Sequence, residues 1–190
     1  MADRGRLIGQ NVGETQLRLW PFSLAVYQDD AVQKECLDLQ DRHGIDTNML
    51  LFCAFVGAAH GAVISEHDVR EALSLIAAWN ANVVRALRQV RRELKLFADP
   101  SPIQIAAGEL RTSVNAAELA AEQIEQAMLE TFTATRLANW QLAEPASAAA
   151  ANVRTLLTAC GDPAPSELPI RLLAAALAAP IPQLVRNGSR

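Results

Sequence analysis

Five cations, Arg85, Arg88, Arg91, Arg92 and Lys95, fall within the stretch "WNANVVRALRQVRRELK", Trp79 to Lys95. With about 100° of rotation per residue, a helix through this stretch gathers them into roughly a third of its circumference. Val83, Ala86, Leu87, Val90, Leu94 and Phe97 take the opposite sector, which makes the helix amphipathic and its polar side wholly cationic. Solvated helix faces usually mix signs. Apart from these five, twelve Lys and Arg stand against twenty-one Asp and Glu, so the stripe reverses the acidic balance of the rest of the chain.

Such a stripe can hold an anion in three ways. It can pair with carboxylates of its own fold, such as Glu118, Glu122 and Glu125 at i, i+4, i+7, or Asp38 and Asp41. It can dock an acidic protein segment, for which the planar fork of arginine is suited. It can also contact phosphates of nucleic acid. A formal charge of −4 gives no chain-wide attraction for nucleic acid, and 5% aromatic residues leave little to stack on bases. A helix-turn-helix version, with Ser65–Ala78 first and Asn82–Lys95 as reader, lacks the glycine of the turn and has Trp79 there. The leading functional expectation is docking of an acidic protein partner on Arg85, Arg88, Arg91, Arg92 and Lys95. On that expectation, reversing Arg88, Arg91 and Arg92 to Glu abolishes capture and leaves the fold nearly as stable.

Other chemistry finds less support. His43, His60 and His67 form no His-x-x-x-His or Glu-x-x-His spacing, so no metal site is expected. His60, within an apolar run, reads as a hydrogen-bonded core histidine. Cys36, Cys53 and Cys160 are odd in number and far apart, which fits buried thiols rather than disulfides or zinc ligands. There is no GxSxG, P-loop or GxGxxG motif, and no cofactor is expected. Asp29 and Asp30 stand where a helix needs a cap. The balance leans away from an enzyme, although a site assembled from distant residues stays open. The alternative function is a small-molecule or enzymatic site around the central apolar helix, with Trp20, Tyr27, Trp79 and the Met49–Ala59 segment lining a pocket, or with His60 near an acid and Asn80. The simpler reading of those aromatic residues is core.

The elements that must position these residues are helical. "LWPFSLAVY" can open a helix, with Pro21 in its first turn. Val32, Cys36 and Leu39 share a side of the next, which Gly44 stops. Asp46 and Ser65 are N-caps for the two helices that follow, the second with Glu66 and Asp68 against its dipole. The apolar run Met49 to Ile64 is sixteen residues long and holds His60, too short for a membrane span of about 20 residues. Periodicity then continues from Val69 to Phe97, as one helix with an irregularity near Trp79. "DPSP", Asp99 to Pro102, ends one helix and begins another with Ser101 as its cap. The next helix runs from Ile103 to about Leu142, with Gly108 a possible break. Two Ala-rich helices follow, one ending near Gly161 and one stopped by Pro180.

No stretch alternates with period two, so the class is all-α: a compact bundle of about six or seven helices around a long central amphipathic helix. At 190 residues a single domain over 19–179 is expected, between a flexible tail over 1–18 and a frayed one over 180–190. The beginning of the chain has no continuous apolar segment like that of a secretory signal, and a cytoplasmic location is expected, with no membrane partner. The oligomeric state is not legible.

Three stretches, "LWPFSLAVY", "CLDLQDRHGIDTNMLLFCAFVGAAHG" and "WNANVVRALRQVRRELK", with "NAAELAAEQIEQAMLE" more loosely, occur in an order that resembles a family of small proteobacterial proteins known as a domain of unknown function. The resemblance covers roughly residues 19–130, within a family-like part over about 19–143 that the Ala-rich helices of 146–179 follow. The family pattern has an arginine after the tryptophan and a proline before the leucine, where this chain has Asn80 and Ala86. The resemblance implies a short cytoplasmic helical protein and brings no catalytic residues with it.

Overall fold

Helices begin and end where side chains can satisfy their terminal backbone groups. The computed structural model describes residues 18–95, 102–161 and 168–180. The tails expected over 1–18 and 180–190 lie outside these residues except for Arg18 and Pro180, as do Phe97 and the Ser101 cap. Helix α1 spans Leu19–Val26, α2 Asp30–His43, α3 Thr47–His60 and α4 Glu66–Trp79. A π-helical turn, Asn80–Val84, leads directly into α5, Arg85–Leu94. Then come α6, Pro102–Arg136, α7, Pro145–Ala159, and α8, Ile170–Ala178. With α4, the π turn and α5 taken as one rod, the described residues form seven helices, and the fold is all-α.

The caps are local in α2, α3 and α4. Asp29 Oδ1 accepts the Ala31 N–H at 2.8 Å, and Asp46 Oδ1 the Met49 N–H at 3.1 Å. Ser65 and Asp68 form a reciprocal capping box. Two other helices are capped from a distance. The Glu130 carboxylate of α6 accepts the N–H groups of Arg18 and Leu19 at 2.8 and 2.9 Å, closing the start of α1. Glu35 of α2 accepts the Leu172 N–H at 2.9 Å at the start of α8.

Every residue of α3 from Asn48 to Ala58 is buried, because α1, α2, α6, α7 and α8 all pack around it. Its closest approach is to α7. A Cβ added at Gly57 would stand 2.2 Å from the Ala149 backbone nitrogen, so only glycine lets the two helices cross there. Phe22 and Phe55 meet edge-on with centroids 5.1 Å apart, joining α1 to α3. Asn152 of α7 is fully buried and ties α7 to α3 and to the segment that follows it: it accepts the Ile64 N–H at 2.9 Å and donates to the carbonyls of Ala62 and Cys53 at 2.9 and 3.3 Å.

Three details depart from expectation, the first being that α6 ends at Arg136, short of the expected Leu142. A pair of two-residue antiparallel strands, β1 (Ala62–Val63) and β2 (Gln141–Leu142), joins the end of α3 to the segment before α7. Strands this short leave no periodicity to read. Helix α6 runs through Gly108 without a break; this glycine is exposed with open space around it, and one glycine costs a long helix only about 1 kcal/mol.

Candidate functional site

The π turn decides which face of α5 meets the protein. Helix α4 buries Val69, Ala72 and Ile76. Regular α-helical geometry would carry that face on to Val83, Leu87, Val90 and Leu94, the apolar sector read from the sequence. In the π turn the Arg85 N–H bonds to the Asn80 carbonyl, five residues back, and one extra residue enters the rod. The inward face therefore continues through Val84, which is fully buried, and then Arg88 and Arg91 at i+4 and i+7. Helix α5 itself buries no residue, and Val90 is 44% exposed.

The cationic stripe is accordingly divided. Arg88 donates from Nε to Glu118 at 2.9 Å, from Nη2 to Glu122 at 2.5 Å and from Nη1 to Gln40 at 3.3 Å. Arg91 forms a two-point pair with the same Glu118, through Nε and through Nη2, the latter at 3.1 Å. Arg85, Arg92 and Lys95 are exposed and form no ion pair among the described residues. Reversing Arg88 and Arg91 would thus set new carboxylates against Glu118 and Glu122, and the expectation that this leaves the fold nearly as stable is revised. Burial pushes the Glu118 carboxyl up, but hydrogen bonds from Arg91 and Arg88 outweigh it and hold the group below the usual carboxylate range. Glu122 is raised by burial in spite of Arg88.

Behind this cluster runs a chain of buried and half-buried amides and acids. Asn80, the first residue of the π turn, donates from Nδ2 to Asp46 at 2.8 Å and to Glu125 at 3.1 Å. Asn48 donates to Glu125 Oε1 at 2.9 Å, and Gln126 donates to Asn48 Oδ1 at 2.8 Å. Glu125 is fully buried. Its burial, and then the charge of Asp46, push the carboxyl up to about 7.

The two polar systems border two cavities. One, of about 260 Å³, opens between α1, α2, α3, α5 and α6. Ser23, Asn48, Glu118 and Gln126 form buried polar wall, and Leu24, Leu37 and Leu119 line it while remaining 44 to 49% exposed. The other, of about 820 Å³, is a groove where Asp46 and Asn80 meet Arg85, Arg88 and Arg92.

The remaining predicted groups are scattered. His43 and His67 are exposed, His67 lying 3.6 Å from Glu71. His60 ends α3 with its Nε2 3.3 Å from the Arg18 guanidinium and its ring edge-on to Phe55. Burial, and then Arg18, lower its pKa to about 4. It stands near a cation rather than an acid, and Asn80 belongs to another cluster. Burial raises the Cys36 thiol to about 12 and Cys53 further. No group of three or more His, Cys, Asp or Glu able to hold a metal ion occurs among the described residues. Trp20 and Tyr27 line the smaller cavity. Trp79 does not; its indole N–H donates to the Ala121 carbonyl at 3.0 Å. Ser23, Gln40, Asn48, Asn115 and Gln126 escaped the sequence reading, since lone polar residues carry no periodic signal.

A family model described as "Protein of unknown function (DUF2390)" matches residues 18–129, more than half of the chain. The chain belongs to that family. Within the DUF2390 match lie α1 to α5, the π turn and most of α6, and with them every described residue that lines either cavity. Helices α7 and α8 fall beyond it. No curated protein and no solved structure matches the chain. Among the described residues no helix is long and apolar enough to cross a membrane.

Proposed function

We propose that this DUF2390 protein binds a small organic molecule in the cavity between α1, α2, α3, α5 and α6. The observation that carries the reading is the cavity wall: four buried polar side chains, Ser23, Asn48, Glu118 and Gln126, stand beside an exposed apolar rim of Leu24, Leu37 and Leu119. The rest of the core is mainly aliphatic and aromatic. Burying charged and amide groups costs stability that an aliphatic wall would not, and such conflicts between local rules and the fold concentrate at functional sites. A concave space that joins apolar walls to a few convergent polar groups suits a small ligand. The π turn supports the same reading, since π turns occur often at functional sites.

The test is a ligand-observed NMR screen of a fragment library against the wild type and Leu119→Trp, whose larger side chain would fill the mouth. Fragments that bind only the wild type support the cavity. Equal binding to both proteins, or no binding to either, would sink the reading.

A second reading keeps the outer cations as a docking face for an acidic protein segment. It is favoured by Arg85, Arg92 and Lys95, which are exposed on a helix that buries nothing. Titration with a polyglutamate peptide and with a DNA duplex, for the wild type and the Arg85→Glu, Arg92→Glu, Lys95→Glu triple variant, tests it. Salt-sensitive binding of the peptide that the triple variant loses supports docking; preference for the duplex transfers the face to nucleic acid, and indifference of both removes it.

A further inference from the structure

The chemistry of the ligand follows from the run of charge along the cavity, on the reading that the cavity is a binding site. On α6 the lining residues Asn115, Glu118, Leu119, Glu122 and Gln126 stand at i, i+3, i+4, i+7 and i+11. That spacing keeps them on one helix face, over about 16 Å of its axis. Helix α5 runs antiparallel beside it: Arg88 reaches both Glu118 and Glu122, whereas Arg91 reaches Glu118 alone. Arg92 therefore falls towards the Asn115 end.

Charge is balanced in the middle of the cavity and unbalanced at that end. Glu118 and Glu122 are already held by Arg88 and Arg91. The Arg92 side chain lines the cavity, is exposed, and forms no hydrogen bond or ion pair among the described residues. Its sequence neighbour Glu93 accepts from Gln89 at 2.8 Å. One turn further along the same two faces stand Lys95, three residues after Arg92, and Arg111, four before Asn115. Both are exposed and form no ion pair among the described residues. The side chains of Asn115 and Trp20 also line the cavity without a hydrogen bond among the described residues, and add an amide and an indole N–H.

The wall thus offers accessible donors around an uncompensated cation, beside the apolar surface of Leu24, Leu37, Leu51 and Leu119. A carboxylate answers such a guanidinium on two oxygens, in a plane that matches its fork. An ammonium would meet three guanidiniums, of Arg88, Arg91 and Arg92, against two carboxylates. Glu122 accepts on one oxygen only among the described residues, yet Arg88 stands 2.5 Å from it and would repel a cation brought there.

We propose that the cavity takes a small amphipathic carboxylate. The head pairs with Arg92 at the Asn115 end, and the apolar body lies along α6 past Leu119, against Leu24, Leu37 and Leu51.

The experiment measures affinities by ligand-observed NMR for octanoate, octanol and octylammonium, with the wild type, Arg92→Ala, Arg85→Ala and Leu119→Trp. Octanoate should bind about tenfold tighter than octanol, as one charge-assisted pair allows, and octylammonium should bind weakest. Arg92→Ala should bring octanoate to the affinity of octanol. Arg85→Ala removes an exposed cation that does not line this cavity and should leave the preference intact. Loss of the preference in both variants would assign it to diffuse charge and overturn the pairing with Arg92. Equal affinities of octanoate and octanol, or tightest binding of octylammonium, would overturn the carboxylate and leave the cavity as the site if Leu119→Trp abolishes binding. Binding that Leu119→Trp does not affect would overturn both. Failure of all three probes would overturn the carboxylate, with the fragment screen deciding the cavity.

Discussion

The Arg88 guanidinium lies between Glu118 and Glu122, 2.9 Å from one carboxylate and 2.5 Å from the other. Side-chain exposures of 18%, 6% and 20% make this a largely desolvated cluster, and removal of the cation leaves two carboxylates without it. Arg88→Ala should therefore destabilise the protein by about 3 kcal/mol in urea denaturation, whereas Arg92→Ala should stay within about 0.5 kcal/mol. Equal effects would mean that the stripe is uniformly solvated.

The π turn makes a prediction about length. Deletion of Asn82, an exposed residue in the turn, should let an unbroken α-helix run from α4 into α5 while keeping Val84, Arg88 and Arg91 on the α6 face. The destabilisation caused by Arg88→Ala should persist in the deletion background. Its disappearance there would show that the π turn does not set the register of α5.

Stability should fall between pH 6.5 and 8. The Glu125 carboxyl rises on folding to about 7 from the ordinary 4.5, so between these values the folded state holds more protons than the unfolded, and stability drops as pH rises through the window. His60, lowered to about 4, acts in the opposite sense below 6.5, where the unfolded state binds the proton and stability drops as pH falls. The two slopes oppose each other; above 6.5 that of His60 fades within about one pH unit, and that of Glu125 is the larger throughout the window. Urea midpoints of the wild type should decline from pH 6.5 to 8, and Glu125→Gln should flatten that decline. A decline of the same size in Glu125→Gln would assign it to another group.

The crossing of α3 and α7 should tolerate no side chain at Gly57. A methyl group there would need the α7 backbone at Ala149 to move, since the Cβ would stand 2.2 Å from its nitrogen. Gly57→Ala should cost at least about 3 kcal/mol or prevent folding, above the common range for overpacking. Near-wild-type thermal denaturation would show that the helices part easily.

The distant cap of α8 is open to hydrogen exchange. Glu35→Ala should expose the amides of Arg171 and Leu172, which its carboxylate accepts, and cost about 1 kcal/mol. Unchanged protection at these amides would mean that packing alone holds the start of α8.

By itself the sequence determined the helices: their class, most of their ends and the caps at Asp29, Asp46 and Ser65. These are local matters, settled by hydrogen bonds within three or four residues and by a period of 3.6. It also placed Arg88 and Glu118 among the groups able to pair, without deciding whether they would. The tertiary structure decided that, because the face of α5 that turns inward depends on one extra residue in the π turn, which shifts its helical phase by about 100°. The same holds for the cavity wall. Asn48 and Glu125 are 77 positions apart, and Asn80 and Asp46 are 34 apart, so their meeting depends on how α3, α4 and α6 pack. Periodicity reports burial of a face, whereas the partner of a single buried amide is chosen only when the helices come together.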